Sequence, residues 1–182
     1  MFLDSEQPVT DVDVVRPTDV PAEPWANGLG VTRVLVSRPH WRISIADIDA
    51  VAPFSFLPGR DRLQIPLTAA GVTLHGGAER RQLAPGEPVW FRGEDRVVGH
   101  PPIGGATVLN VMTDRAHAVL QLGLTRETVV TGADAVVALA DARIQGRDET
   151  PGTVVLPGRD PVRLVSREAV AVLRWLPAVS AR

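Results

Sequence analysis

The chain has 182 residues, enough for one domain or one domain built from two similar halves, and at this length roughly 70% of the extended surface is buried on folding. Apolar residues make up 45% and charged residues 22%, which excludes global disorder, and a net charge of −2 removes the electrostatic case for nucleic acid or an anionic membrane as partner. Cysteine and lysine are both absent, so disulfides, thiolate metal sites, thiol nucleophiles and Schiff-base chemistry are excluded.

No apolar run approaches the ~20 residues of a membrane span, and no basic, apolar, small-residue leader opens the chain. The expectation is a cytoplasmic protein. Glycine and proline number 16 each, which leaves little room for long helices. In chain order, β-rich runs fall at 12–15, 31–37, 41–48, 63–67, 72–75, 89–91, 97–100 and 106–112. Further runs fall at 116–122, 128–130, 153–156, 162–166 and 170–175. Turn chemistry separates them: Pro58-Gly59, Gly76-Gly77, Pro85-Gly86, Gly104-Gly105, Gly146 and Pro157-Gly158. Strands recurring at intervals of about ten residues predict an all-β sandwich or barrel. The one helix-like stretch, 132–142, is short or absent. Leu57-Pro-Gly-Arg-Asp61 is echoed as Leu156-Pro-Gly-Arg-Asp160, either as recurring turn chemistry or as the same corner in a duplicated barrel.

Four segments carry candidate chemistry. Trp25-Ala-Asn27-Gly28-Leu-Gly30-Val-Thr32-Arg33 gathers an aromatic ring, an amide, a hydroxyl and a guanidinium around two glycines, then opens into a β run. Neither a Lys-Ser/Thr pair nor a helix follows, so it is no phosphate loop. In Trp41-Arg42-Ile43-Ser44-Ile45-Ala46, alternation puts Trp41, Ile43 and Ile45 on one face and Arg42, Ser44 and Ala46 on the other. Facing a barrel mouth, Arg42 and Ser44 suit a carboxylate; facing outward, they carry no function. Pro53-Phe54-Ser55-Phe56-Leu57-Pro58-Gly59-Arg60-Asp61-Arg62 brings a second guanidinium, either to the same anion or to a surface ion pair. Asn110 and Met112 share one face of a strand with Val108, where a polar amide needs a partner or a ligand.

Pro85-Gly-Glu-Pro-Val-Trp-Phe91 resembles the turn-plus-strand signature of cupins, small antiparallel jelly-roll barrels. The four segments, in this order, resemble the HutD/Ves family of cupin-like proteins, whose pattern runs Trp-x-Asn-Gly-Gly-Gly-x-Thr-Arg, Trp-Arg-x-Ser-x-Ala, Pro-Phe-Ser-x-x-Pro-Gly-x-x-Arg and Asn-x-Met. The resemblance covers about residues 12–123, and two positions depart from it: Ala26 stands for a usual lysine and Leu29 for the middle glycine. It implies an all-β, cupin-like antiparallel jelly roll, a compact duplicated (bicupin) barrel within a single 1–182 domain, with halves at about 12–110 and 111–182. It also implies an association with histidine utilisation and no established catalytic activity.

A cupin metal site needs a His-x-His pair, and His40, His75, His100 and His117 provide none; His75 with Glu79 is the nearest fragment. No metal, cofactor or catalytic residue is therefore expected. Ser55 lacks a nearby histidine and a strained elbow for nucleophilic work, and Asp47 and Asp49 read as solvated carboxylates. The expected function is metal-free binding of a small anionic molecule, which the resemblance implies is a histidine-degradation intermediate such as formylglutamate, formiminoglutamate or urocanate. Arg42 and Arg62 would grip carboxylates; Asn27, Ser44, Ser55 and Asn110 would read other polar groups; Trp25, Phe54 and Met112 would wall the pocket. Arg33 either faces the ligand or locks the turn, and alternation does not decide. A cupin enzyme acting on a small anion and a packed-shut interaction module stand as alternatives. Short Val-rich edges such as 31–36 leave homodimer pairing open.

Overall fold

In a computed structural model describing residues 12–25 and 27–178, every regular element but one is a β-strand. In chain order these are β1 (Asp13–Val15), β2 (Glu23–Pro24), β3 (Gly30–Arg38), β4 (Trp41–Ile48), β5 (Ala52–Pro53), β6 (Arg60–Pro66), β7 (Val72–Gly76), β8 (Glu79–Leu83), β9 (Val89–Arg92), β10 (Val97–His100) and β11 (Ala106–Asp114). They continue as β12 (Ala118–Thr125), β13 (Val129–Val130), β14 (Ala135–Ala138), β15 (Ala142–Ile144), β16 (Arg147–Glu149), β17 (Val154–Leu156), β18 (Val162–Ser166) and β19 (Val170–Pro177). The exception is a 3-10 turn at Pro17–Asp19. No helix forms at 132–142. Its Ala-Val run becomes β14, buried on both faces because it lies between two packed layers. Among the described residues no helix is long and apolar enough to cross a membrane.

The strands pair antiparallel throughout, in four sheets ordered β2-β3-β4-β11-β6-β9, β5-β10-β7-β8, β1-β17-β14-β19-β12 and β13-β18-β15-β16. The pairing order β4-β11-β6-β9 recurs eight strands later as β12-β19-β14-β17, and β5-β10-β7-β8 recurs as β13-β18-β15-β16. The division expected near residue 110 falls inside β11, which runs on to Asp114; β1 pairs with β17, so the N-terminal strand completes the later sheet. The Leu-Pro-Gly-Arg-Asp echo does not mark this recurrence. Its first copy leads into β6 and its second into β18, which is the counterpart of β10. Both copies are turns carried by a positive-φ glycine, Gly59 and Gly158, and the similarity is one of turn chemistry.

Four layers result, and alternation decides what each interlayer contains. The two central sheets pack back to back through Leu35, Val36, Ile43, Ile45, Leu63, Ile65, Leu109 and Val111 on one side and Leu120, Ala135, Val137, Val154, Ala171 and Leu173 on the other. Burying each of the larger side chains contributes about 1.5–3 kcal/mol. A bulge at Leu35 shifts the β3/β4 register, so that consecutive residues Leu35 and Val36 both reach this core. Trp41 stacks on Trp175 across the same interface, centroids 4.0 Å apart. Val136, Ala138, Ile144, Val155, Val162, Leu164, Val170 and Val172 close the interlayer of the later sheets. The other outer interlayer, between β2-β3-β4-β11-β6-β9 and β5-β10-β7-β8, is apolar at one end through Ile48, Val72, Leu74, Leu83 and Val97, and polar at the other.

Candidate functional site

The polar end of that interlayer is a cavity of about 600 Å³. Its floor is three adjacent strands whose register sets side chains in rows. Arg42, Met112 and Arg62 form the first row, Ser44, Asn110 and Gln64 the second, and Ala46, Val108 and Pro66 the third. The rows follow from period-two alternation: Ile43, Ile45, Leu63, Ile65, Leu109 and Val111 turn to the central core, which sends the intervening residues to the cavity side. One end of the floor is therefore cationic, the middle offers amides and a hydroxyl, and the far end is apolar.

Among the described residues no carboxylate answers the cationic row. Arg62 is 5% exposed, yet among the described residues neither Arg62 nor Arg42 forms an ion pair with a carboxylate. The Arg62 guanidinium lies over the rings of Phe54 and Phe91, 5.1 and 4.9 Å from their centroids. Arg42 donates through Nη2 to the Met112 sulfur at 3.1 Å, a weak acceptor. The Nε atoms of both arginines are buried without a partner. Burial, with the positive charge of Arg42 as the second cause, pushes the Arg62 pKa down to about 10.

The amide row has a fixed polarity. Arg62 can only donate, so Asn110 turns its Oδ1 to Arg62 Nη2 at 3.4 Å and accepts Gln64 Nε2 at 3.1 Å on the same oxygen. This uses the Gln64 amide nitrogen and leaves its buried Oε1 with no donor. The site thus holds unused donors beside an unused acceptor.

The rim is built by the first segment and by the 53–58 loop. Trp25 Nε1 donates to Thr32 Oγ1 at 2.8 Å, and its ring lies against Gly30, where a Cβ would come within 2.5 Å of the Asp47 carbonyl oxygen. Asn27 Oδ1 accepts the Leu29 N–H at 3.0 Å, so its carbonyl side holds the turn. Leu29, at the family's middle-glycine position, is accommodated half-buried in that turn; Ala26 lies outside the described residues. Phe54 sits over Gly99, where a Cβ would meet the ring at 2.9 Å.

Trp25, Asn27, Arg42, Ser44, Phe54, Ser55, Arg62, Asn110 and Met112 are thus brought around one cavity. Arg33 is not. Thr32 and Val34 take the cavity face of β3, and Arg33, on the opposite face, pairs with Asp47 at 2.6 Å. Asp47 also accepts the Thr107 hydroxyl at 2.7 Å, so it is engaged where the sequence suggested a solvated carboxylate. Thr32, the hydroxyl of the first segment, and Leu57, in the third, also line the cavity, as does Gln64, which had not been singled out. Gln64 stands two residues beyond Arg62 on the same strand face, so alternation from Arg62 identifies it. None of the four histidines is among the lining residues; they form two stacked pairs elsewhere, His75 with His100 and His40 with His117.

Sheet order, antiparallel pairing and an interlayer cavity define a cupin-like protein. A cupin 2 conserved barrel domain protein from Leptotrichia buccalis superposes with a TM-score of 0.55 at 11% identity, covering 91% of this chain and 96% of that one. The HutD family model matches residues 17–174, and the chain belongs to the HutD family. The solved structure of HutD from Pseudomonas fluorescens SBW25 (formate condition) superposes with a TM-score of 0.77 at 23% identity, covering 91% of this chain and 98% of that one. Protein Ves of Cronobacter sakazakii is 33% identical over 120 residues, which is 62% of this chain and 66% of the Ves length.

Proposed function

We propose that this chain is a binding protein for a small anionic molecule, held by guanidinium groups and not through a metal ion. The observation that carries the reading is the pair of arginines in one row, Arg62 buried and Arg42 half-buried, with no carboxylate partner among the described residues. A ligand carboxylate between them would accept charge-assisted bonds worth about 1.5–3 kcal/mol each, strengthened by the exclusion of water around Phe54 and Met112. The orphan Gln64 Oε1 calls for a ligand that also donates. A formyl amide, a formimino group and a protonated imidazole nitrogen all supply an N–H. Together with membership of the HutD family this supports formylglutamate, formiminoglutamate or urocanate as the ligand class, in a regulatory or protective role within histidine utilisation.

The lining residues favour binding over catalysis. They include no histidine, and Glu23 is the carboxylate among them, so the cavity offers no acid-base pair of the kind isomerases and hydrolases use. The open volume also argues against a shut interaction module.

A thermal-shift panel tests the reading with formylglutamate, formiminoglutamate, urocanate, histidine and glutamate, each with and without divalent metal. A ligand at a hundred times its Kd adds about 2.7 kcal/mol, which for this length raises Tm by several degrees. A metal-independent shift from one of the first three is expected. A shift that requires metal would move the assignment to a cupin enzyme, and no shift from any of the five would remove the ligand class.

A further inference from the structure

A second constellation lies away from the cavity. His40 occupies the β3–β4 turn, Asp114 ends β11, and His117 lies in the crossover to β12. One donor atom from each lies within 4.8 Å of the others. The backbone fixes this proximity: the Asp114 N–H donates to the His40 carbonyl oxygen at 2.7 Å, and the His117 N–H donates to the Asp114 carbonyl oxygen at 3.0 Å. The imidazoles stack with centroids 4.4 Å apart, and His117 Nδ1 is 3.1 Å from Asp114 Oδ2. The other Asp114 oxygen is used, accepting the Ala116 N–H at 3.1 Å. Arg60 Nη1, at 3.7 Å from Oδ2, is the competing cation.

We propose that His40, Asp114 and His117 form a surface site for a divalent transition-metal ion of the zinc or nickel type. Two imidazoles and a carboxylate are a ligand set suited to such ions, and they are a poor set for magnesium or calcium, which take oxygen ligands. Ligands at about 2.0–2.1 Å from a tetrahedral ion stand about 3.3 Å apart, so the three groups need only a modest contraction. The rings stack 11° from parallel, and because an imidazole lone pair lies in its ring plane, binding one ion requires the rings to rotate about their Cβ–Cγ bonds. Both histidines are exposed, and rotation exchanges their mutual stacking for ligation. The ion would join the β3–β4 turn to the segment crossing between the two groups of sheets. The site is independent of the anion-binding cavity.

The test is isothermal titration of zinc and, separately, nickel into the untagged, metal-stripped full chain, with Tm followed in parallel. One equivalent is expected to bind saturably and to raise Tm with metal concentration. His40→Ala, His117→Ala and Asp114→Asn should each weaken binding by about 10–100-fold or more while leaving the metal-free Tm of the histidine variants close to that of the parent. Asp114→Asn keeps its turn-capping oxygen, which holds the readout to ligation. His75→Ala should bind as the parent does. Absence of saturable binding below millimolar metal, or binding that survives both His40→Ala and His117→Ala, would overturn the proposal, as would loss in His75→Ala alone.

Discussion

The two outer interlayers share one pairing order and have opposite interiors. On the cavity side the β6 and β11 positions that face the outer sheet include Arg62, Gln64 and Asn110 beside Met112, Val108 and Pro66; on the corresponding strands β14 and β19 the residues facing the outer sheet are Val136, Ala138, Val170 and Val172, all apolar. Each interlayer also buries one charged side chain to the same degree, Arg62 and Glu149 at 5% exposure. Glu149 is answered in full, receiving Arg16 Nε at 2.7 Å and Arg16 Nη2 on its second oxygen. Arg62 is answered by an amide oxygen and two aromatic rings. An unanswered buried charge is costly, whereas a paired one is tolerated. The same strand order thus encloses a packed apolar interior with a paired charge once and a cavity with a guanidinium lacking a carboxylate partner among the described residues once, and under the proposed function stability and binding separate along that line.

The largest expected effect lies in the packed interlayer. Ile144→Ala removes a side chain 2% exposed from the later core and should cost about 2–5 kcal/mol in chemical denaturation, with no change in anion affinity at fixed folded fraction. A comparable loss of affinity would mean that the two interlayers are not separable. Glu149→Gln comes next. It removes one charge from the fork with Arg16 and should cost about 1–3 kcal/mol, again with ligand affinity intact. A neutral result would make the buried pair dispensable and narrow the contrast with Arg62.

The smallest effect concerns the corner that supports Arg62. Arg115 donates to Asp61, the neighbour of Arg62, at 2.7 Å and to Glu94 at 3.0 and 3.1 Å. The bonds from Arg115, and then the Gly59 N–H, hold Glu94 down from its ordinary 4.5 to about 2. A depressed carboxylate contributes stability that is fully present above pH 4.5 and is lost as pH falls through about 2. Glu94→Gln should therefore flatten the decline of Tm across that acid window and leave Tm at neutral pH lower than the parent's. An unchanged acid profile would show that the corner draws no stability from this carboxylate.

Much of this was legible in the chain because alternation is a local property. The faces of 41–46 were readable: Trp41, Ile43 and Ile45 turn to the central core, and Arg42, Ser44 and Ala46 turn to the cavity side. Alternation separates faces without naming what each face meets, and in a four-layer stack both faces are buried. Arg33 illustrates the limit, since Thr32 and Arg33 each open an alternating series and only the partner strand's Asp47 decides between them. The bulge at Leu35 leaves no sequence mark, and its residues read as ordinary strand. Strands β8 and β16 went unread because exposed, polar sheet edges such as Glu79–Leu83 carry no apolar period, and β15 because its buried alternation, Ala142 and Ile144 about Arg143, spans only three residues. The proximity of His40 to His117 could not be read from spacing, because the Asp114–His40 backbone bond that creates it joins segments far apart in the chain.

The most direct test is calorimetric titration of formylglutamate, formiminoglutamate and urocanate into the parent chain and into Arg62→Met, a substitution that keeps the volume and removes the charge. The parent should bind one equivalent of at least one of the three without metal. In Arg62→Met affinity should fall by about 100-fold or more while Tm holds or rises, because a buried charge has been replaced by an apolar side chain. Equal affinity in the two proteins, or a fall in affinity matched by a fall in Tm, would contradict the assignment of Arg62 as a charge kept for a ligand.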